Sequence, residues 1–398
     1  MEKQFQFRTM SKQHKYLFYN ICLTFVGQGM YMMLLGSELP LIKAEYRISY
    51  TVGGLLMSFQ QIGLLICGLL ISIPAKKLGG KKAYMIFGSL AFAGITIVML
   101  TGNPVLLLLS MLMFGASKAS TTYFGNQIVG NISGNSSFML NLVNAFFALG
   151  AVLAPAVALI CGDNWRACFG ITVAFGVFGI LHASRACIGE EEYHTIPSGG
   201  DSGQTKSGNT LGFFREKLFW ICVMMMLFYL SAEAGVMGWM TTYFSETGIM
   251  SLNRAKLLVT VMWIALLAGR FLTSALAKWF TNQQMLTVMS IGTILCYTGI
   301  LFSRSAEGMT CSVIGLGLMM AGLYATIVAS LGSLMERYPV CMSMMIAIPG
   351  VGSVMTTGLA GKIADMAGVR SGMFLFYGLF GCMMLLDLVL LGYLKKRR

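Results

Sequence analysis

Twelve apolar runs follow one another along this chain, each long enough to cross a hydrocarbon core as a helix. A core about 30 Å thick needs roughly 20 helical residues. The runs fall at 16–39, 52–73, 83–100, 104–126, 137–160 and 167–187, then at 217–244, 255–277, 285–302, 310–335, 341–364 and 372–394. Lipid gives the backbone no hydrogen-bonding partner, so each run must satisfy its own N–H and C=O groups, and a helix does this within one segment. Only 11% of the residues are charged, against roughly 25% in an ordinary soluble domain. The pattern predicts an all-α membrane protein of twelve transmembrane helices.

Several function classes drop out. The formal net charge of +13 would suit a nucleic-acid partner only if the basic residues shared a polar face. Here they sit in short gaps between apolar runs, so no nucleic acid is expected. The ten cysteines lie mostly inside the runs and include no C-x-x-C pair, which argues against a disulfide framework or a zinc site. The first run is too long for a removable signal peptide and lacks the small-residue cleavage site. Residues 200–207 imitate a P-loop but carry Thr205 where the glycine before Lys206 is required, and no strand precedes them. His14, His182 and His194 are scattered over a terminus, a span and a linker, so no nucleophile, base and orienting group converge. Neither catalysis nor a cofactor nor a metal is expected.

Six spans lie on each side of a stretch at 188–212 that contains Glu190, Glu191 and Glu192 and then turns Ser/Gly-rich. It reads as a flexible linker between a bundle at 1–187 and a bundle at 213–398. The halves echo each other. Span 5 carries Gly150 and Pro155 and is followed by Trp165-Arg166; span 11 carries Pro349 and Gly350 and is followed by Val369-Arg370. A duplicated six-helix unit is the simplest account. With the N-terminus inside, cytoplasmic segments hold 19 Lys/Arg and outside loops 8. That asymmetry predicts a multi-pass protein of the cell inner membrane with both termini and the linker cytoplasmic. The closing Lys395-Lys396-Arg397-Arg398 reads as a stop-transfer flank.

The loop after span 2 reads Pro74-Ala75-Lys76-Lys77-Leu78-Gly79-Gly80-Lys81-Lys82, and the region after span 8 offers Gly269-Arg270 with Lys278. This arrangement resembles the major facilitator superfamily, whose corresponding loop has G-x-x-x-D-R-x-G-R-R. Ser72, Lys76 and Gly80 replace the first Gly, the Asp and the first Arg of the closing R-R pair of that pattern. Within the superfamily the chain is similar to the fucose permease-like sugar transporters at Gly36-Ser37-Glu38-Leu39-Pro40 through Gly53-Gly54, at residues 115–126, at Leu140-Asn141-Leu142 through Pro155, and at Ser231-Ala232-Glu233 through Trp239 and Tyr243. Acidic positions of the fucose-transporting members align with Gly36 and Thr122, which argues against fucose itself. The resemblance implies two pseudo-symmetric six-helix bundles around a cavity lined by spans 1, 4, 7 and 10.

An ionisable side chain at mid-membrane costs about 2.5–3.5 kcal/mol on insertion scales, so one that persists faces a partner or water. Lys118 and Glu233 qualify. Lys118 heads a stripe with Thr122 and Asn126 at helical spacing, and Glu233 has Tyr229 one turn before it. In the resembled fold both occupy cavity-lining spans, one per bundle, where a contact between them could form and break. Further substrate-binding candidates are Gln28 and Tyr31 in span 1, Asn141 and Asn144 in span 5, Trp239 and Tyr243 in span 7, and Tyr324 in span 10. Amides bond hydroxyls, and aromatic faces pack on the C–H face of a sugar. Arg270 and Asp387 read as structural. Small residues on spans 5 and 11, among them Gly150, Ala154, Gly352, Gly358 and Gly361, read as packing seams.

The expectation is a secondary active transporter of a small polar solute, a sugar or polyol moved by proton symport with Glu233 as the coupling group, working as a monomer. Two alternatives stand beside it: transport of an organic anion on Lys118, and efflux of amphipathic drugs, for which 32 Met and 26 Phe offer an adaptable surface.

Overall fold

The structure, a computed structural model, describes residues 10–133, 137–185, 212–338 and 340–395. The linker expected at 188–212, apart from Gly212, lies outside the described residues, as do His194 and the basic residues from Lys396 onward. The side chains of Asn141, His182 and Glu336 lie outside them as well.

The described residues fold into two compact units of α-helices. The first comprises residues 10–48 and 59–185, the second residues 49–58 and 212–395. Chain order gives α1 (Lys12–Tyr46), α2 (Tyr50–Leu70), α3 (Ser72–Leu78), α4 (Gly80–Leu100), α5 (Pro104–Ser133), α6 (Ser137–Cys161) and α7 (Trp165–Arg185). After a 3-10 turn at Gly212–Arg215 come α8 (Lys217–Glu246), α9 (Leu252–Leu276), α10 (Asn282–Phe302), α11 (Ala306–Met320), α12 (Leu323–Ala329), α13 (Gly332–Arg337), α14 (Val340–Ala367) and α15 (Val369–Lys395). Among the described residues eleven segments are long and apolar enough to cross a membrane; α7, 21 residues long, falls outside that set and supplies the sixth helix of the first unit.

Three departures from the expected spans have local causes. Span 1 lengthens at both ends into a 35-residue helix, because Ser11 caps it by accepting from the His14 N–H at 3.1 Å and the chain turns only at Arg47, whose φ is 52°. Pro40 sits inside α1, where it forgoes one backbone bond without ending the helix. Span 2 stops at Leu70 and continues as α3, with Pro74 in the first turn where no N–H is needed. Span 10 is not continuous: it divides into α11, α12 and α13 at residues 321–322 and 330–331. At the first of these breaks the Tyr229 hydroxyl donates to the carbonyl of Met320 at 3.1 Å.

Helices in lipid gain little from burying one another's apolar surface and associate instead through close packing. In the first unit α1 meets α6 where neither backbone carries a side chain. A Cβ on Gly29 would lie 2.7 Å from the Ala151 nitrogen, and one on Gly150 would collide with the Val26 carbonyl oxygen. Phe18, Ile21, Phe25, Phe124, Ile128 and Val143 fill the core beside this seam. In the second unit α8 packs on α14 and α15, with Gly235 receiving the Phe376 ring. Helices α10 and α15 run antiparallel, pinned by Tyr297 donating to the Met373 carbonyl at 3.1 Å and by Gln283 Nε2 donating to Asp387 Oδ1 at 2.9 Å.

Residues 49–58, the start of α2, belong to the second unit through a different set of bonds. The backbone N–H groups of Tyr50 and Thr51 donate to the two oxygens of Asp365 at 2.9 and 2.7 Å. The Ser58 hydroxyl donates to the Val354 carbonyl at 2.7 Å, and Gly54 lies against Gly361 closely enough that a Cβ would stand 3.1 Å from its Cα.

Candidate functional site

In the first unit the polar candidates converge from α1, α5 and α6. Gln28 is almost wholly buried on α1, and its Nε2 donates to the Lys118 carbonyl at 2.7 Å and to Thr122 Oγ1 at 2.9 Å. Both acceptors lie on one face of α5, because residues i and i+4 of a helix stack. The other end of that amide, Gln28 Oε1, is buried without a hydrogen-bond partner among the described residues. The Lys118 ammonium stands 4.9 Å from the centroid of the Phe147 ring on α6, a geometry in which the ring's negative face attracts the cation. One turn further along α5, Asn126 Oδ1 accepts from Asn144 Nδ2 at 3.3 Å, and the same Nδ2 donates to Leu140 O at 2.8 Å.

Tyr31 is part of the wall of this region. Its hydroxyl lies 3.4 Å from Ser117 Oγ, and its ring meets Phe114 edge-on at 5.6 Å between centroids. Ser117 in turn donates to the Gly88 carbonyl at 2.8 Å. The expected stripe of Lys118, Thr122 and Asn126 is therefore present, with Gln28 and Asn144 each bonded to a member of it.

In the second unit Glu233 is half-buried on α8 and interacts with Tyr229 one turn before it; Tyr324 on α12 lies within its electrostatic reach. Tyr324 is 37% exposed, enough for a ring that could meet a solute. Trp239 and Tyr243 are placed differently. Trp239 is buried with its ring 6.2 Å from that of Tyr50, and the Tyr243 hydroxyl donates to the carbonyls of Ile300 and Leu301 at 3.4 and 3.5 Å. They do not join the group around Glu233. Arg270, exposed on α9, lies within electrostatic reach of Tyr229, and Asp387 is buried against Gln283.

Sequence reasoning passed over Glu38 and Lys256, both fully buried. Each lies inside an expected span, next to its end. It also passed over the cluster of Glu45, Tyr46, Trp165 and Arg166 at one end of the first unit, for which the pairing of Trp165 with Arg166 was the available signal.

The sequence profile of the Major Facilitator Superfamily matches residues 20–340. A Protein TsgA homolog of Erwinia tasmaniensis is 21% identical over 388 residues, covering 96% of this chain and 95% of that protein. A second TsgA homolog, from Yersinia enterocolitica, is 22% identical over 91% of this chain and 89% of its own length. Among solved structures the nucleoside transporter NupG superimposes with a TM-score of 0.77 at 14% identity, over 97% of this chain and 100% of its own. A D-xylose-proton symporter gives 0.75 at 14% identity, over 94% and 96%. The transporter FucP in its outward conformation gives 0.60 at 18% identity, over 94% and 99%. At such identities the structural likeness establishes the fold.

Proposed function

The chain belongs to the Major Facilitator Superfamily and is a membrane transporter, not an enzyme, and we propose that it moves a sugar or polyol by proton symport through alternating access. One observation carries the solute class: the Gln28 amide that bridges the Lys118 carbonyl and the Thr122 hydroxyl while its own Oε1 has no partner among the described residues. A buried acceptor without a donor is costly, and a solute hydroxyl supplies the missing O–H. Lys118 and Thr122 adjoin it, the amides of Asn126 and Asn144 lie one turn further along α5, and the Phe147 face lies beside the Lys118 ammonium, a set suited to a polyhydroxylated ring. That a nucleoside transporter and a D-xylose-proton symporter share the fold supports the same class.

Proton coupling falls to Glu233, a carboxyl in a membrane helix with phenols as its neighbours. Alternating access changes the surroundings of such a group, and a group whose surroundings alternate can load a proton in one state and release it in the other. The test uses protein reconstituted in liposomes. Glu233→Gln retains solute exchange between equal compartments and loses accumulation driven by a pH gradient. Accumulation equal to wild type rules out Glu233 as the coupling group.

A second reading, transport of an organic anion, is favoured by the Lys118 ammonium, a cation within a membrane helix that lies over the Phe147 ring. Thermal-shift titration separates the two, since a ligand that binds the folded state raises its apparent stability. Shifts with neutral sugars support the first reading; shifts with carboxylates alone support the second. In both readings the protein works as a monomer in the inner membrane with its termini in the cytoplasm.

A further inference from the structure

The repeat that sets Trp165-Arg166 after span 5 sets Val369-Arg370 after span 11, and the two arginines make the same first contact. Arg166 Nε donates to the Met99 carbonyl at 3.1 Å, and Arg370 Nη2 to the Leu301 carbonyl at 2.9 Å. Met99 and Leu301 are the penultimate residues of α4 and α10, and each arginine is the second residue of its helix, so the positions correspond. Each guanidinium also lies over an aromatic ring, Arg166 over Trp165 at 4.5 Å and Arg370 over Phe302 at 5.7 Å.

Beyond that contact the two units differ. In the first, a carboxylate from the end of α1 fills the guanidinium fork: Arg166 Nη1 is 2.6 Å from Glu45 Oε1, and Trp165 Nε1 donates to Glu45 Oε2 at 2.6 Å. In the second, the corresponding end of α8 carries Glu246, but that carboxylate accepts from the Tyr50 hydroxyl. Arg370 has no ion pair among the described residues. In front of it is a cavity of about 510 Å³, whose polar lining is Arg370, Arg304, Glu246, Thr247, Ser303 and Tyr243.

We propose that this cavity binds a small oxyanion, the carboxylate or phosphate of an organic acid or ester, held by Arg370 and Arg304. The Glu45 carboxylate shows, in the first unit, the kind of group this guanidinium position takes. An arginine has five N–H donors in a planar fork, and the Leu301 carbonyl leaves most of them for an oxyanion. The cavity falls within the range of about 300–1,000 Å³ usual for small-molecule sites and exceeds what an inorganic ion fills. Phe302, Val369 and Ile249 supply apolar wall for the body of the ligand, and Glu246 disfavours a second negative charge. Tyr243, expected from the sequence to touch the transported solute, lines this site instead. None of the residues on which the proposed transport function rests, Gln28, Lys118, Thr122, Asn126, Asn144 and Glu233, takes part, so the site is independent of that reading.

The test uses the full-length protein in nanodiscs of neutral phosphatidylcholine, with the thermal unfolding midpoint as readout. Sodium phosphate and sodium succinate are titrated against sodium chloride at matched ionic strength. A saturable rise with phosphate or succinate, absent with chloride, is expected, with half-saturation at least tenfold higher in Arg304→Gln and Arg370→Gln. Arg304 makes no hydrogen bond or ion pair among the described residues, so its variant folds even if the Arg370 variant does not. A rise on replacing phosphatidylcholine by phosphatidylglycerol, lost in Arg304→Gln, assigns the oxyanion to a lipid headgroup and supports the same site. No saturable rise under any of these conditions, or one unchanged in Arg304→Gln, overturns the proposal.

Discussion

Asp365 holds the first turn of α2 in the manner of a capping residue, although it lies more than 300 positions away in sequence. Its two oxygens accept the N–H groups of Tyr50 and Thr51 at 2.9 and 2.7 Å. The first N–H groups of a helix have no partner within it, and the helix dipole favours a negative charge there. A capping side chain replaced by alanine costs about 0.5–2 kcal/mol, and the dipole adds about 0.3–1 kcal/mol. Asp365 is exposed, so water recovers part of the loss and the net effect of Asp365→Ala is about 1–2 kcal/mol. Each 1.4 kcal/mol is a factor of about ten in an equilibrium, so local opening of residues 49–53 increases roughly 5- to 30-fold. Hydrogen-exchange mass spectrometry on a peptide covering those residues reads this directly. Asp365→Asn, which keeps one acceptor and loses the charge, falls between. If exchange there in Asp365→Ala matches wild type while the global unfolding midpoint is unchanged, the capping argument is wrong.

Lys118→Met removes the ammonium while keeping the length of the side chain. Solute affinity by thermal-shift titration falls about tenfold or more, as losing a hydrogen bond to a charged group implies; unchanged affinity and rate would make Lys118 merely structural. Gly150→Leu drives a side chain into the Val26 carbonyl, which cannot yield because it is backbone, and overpacking of this kind costs about 1–3 kcal/mol. The unfolding midpoint drops accordingly, and a midpoint equal to wild type would show that α1 and α6 do not pack through this seam. Cysteines introduced singly at Ser202 and Ser207 stay unlabelled by an impermeant reagent in intact cells, whereas labelling from outside reverses the assigned topology.

Hydropathy located the helices well because lipid admits almost no other backbone form, but it misplaced their ends. The expected span 1 stopped at Leu39, short of Lys43 and Glu45, yet α1 continues to Tyr46 and buries Glu38 completely. Lys256, the second residue of the expected span 8, is fully buried in α9. The breaks in span 10 carry no proline, and Gly322 and Gly332 do not stand out in a chain with 47 glycines. Of the candidate site, Lys118, Thr122 and Asn126 were legible because their spacing fixes a shared face. The bond from Gln28 to that face was not, since its partners lie 90 and 94 positions away. Trp239 and Tyr243 gave no sequence signal that separates an aromatic packed against its neighbours from one facing a solute.

Tyr229 has one phenol proton and two neighbours that can compete for it. In the structure the hydroxyl is 3.1 Å from the carbonyl of Met320, the last residue of α11, and within hydrogen-bonding reach of Glu233 as well. While that bond is made, Tyr229 offers Glu233 only oxygen lone pairs. A protonated carboxyl can donate to those lone pairs; a carboxylate cannot. Ionisation of Glu233 therefore opens a contest for the phenol proton. If the carboxylate wins it, the carbonyl at the end of α11 loses its partner at the point where span 10 is already interrupted. The state of charge at residue 233 is thus written into the hydrogen bonding of a broken helix on the far side of the tyrosine.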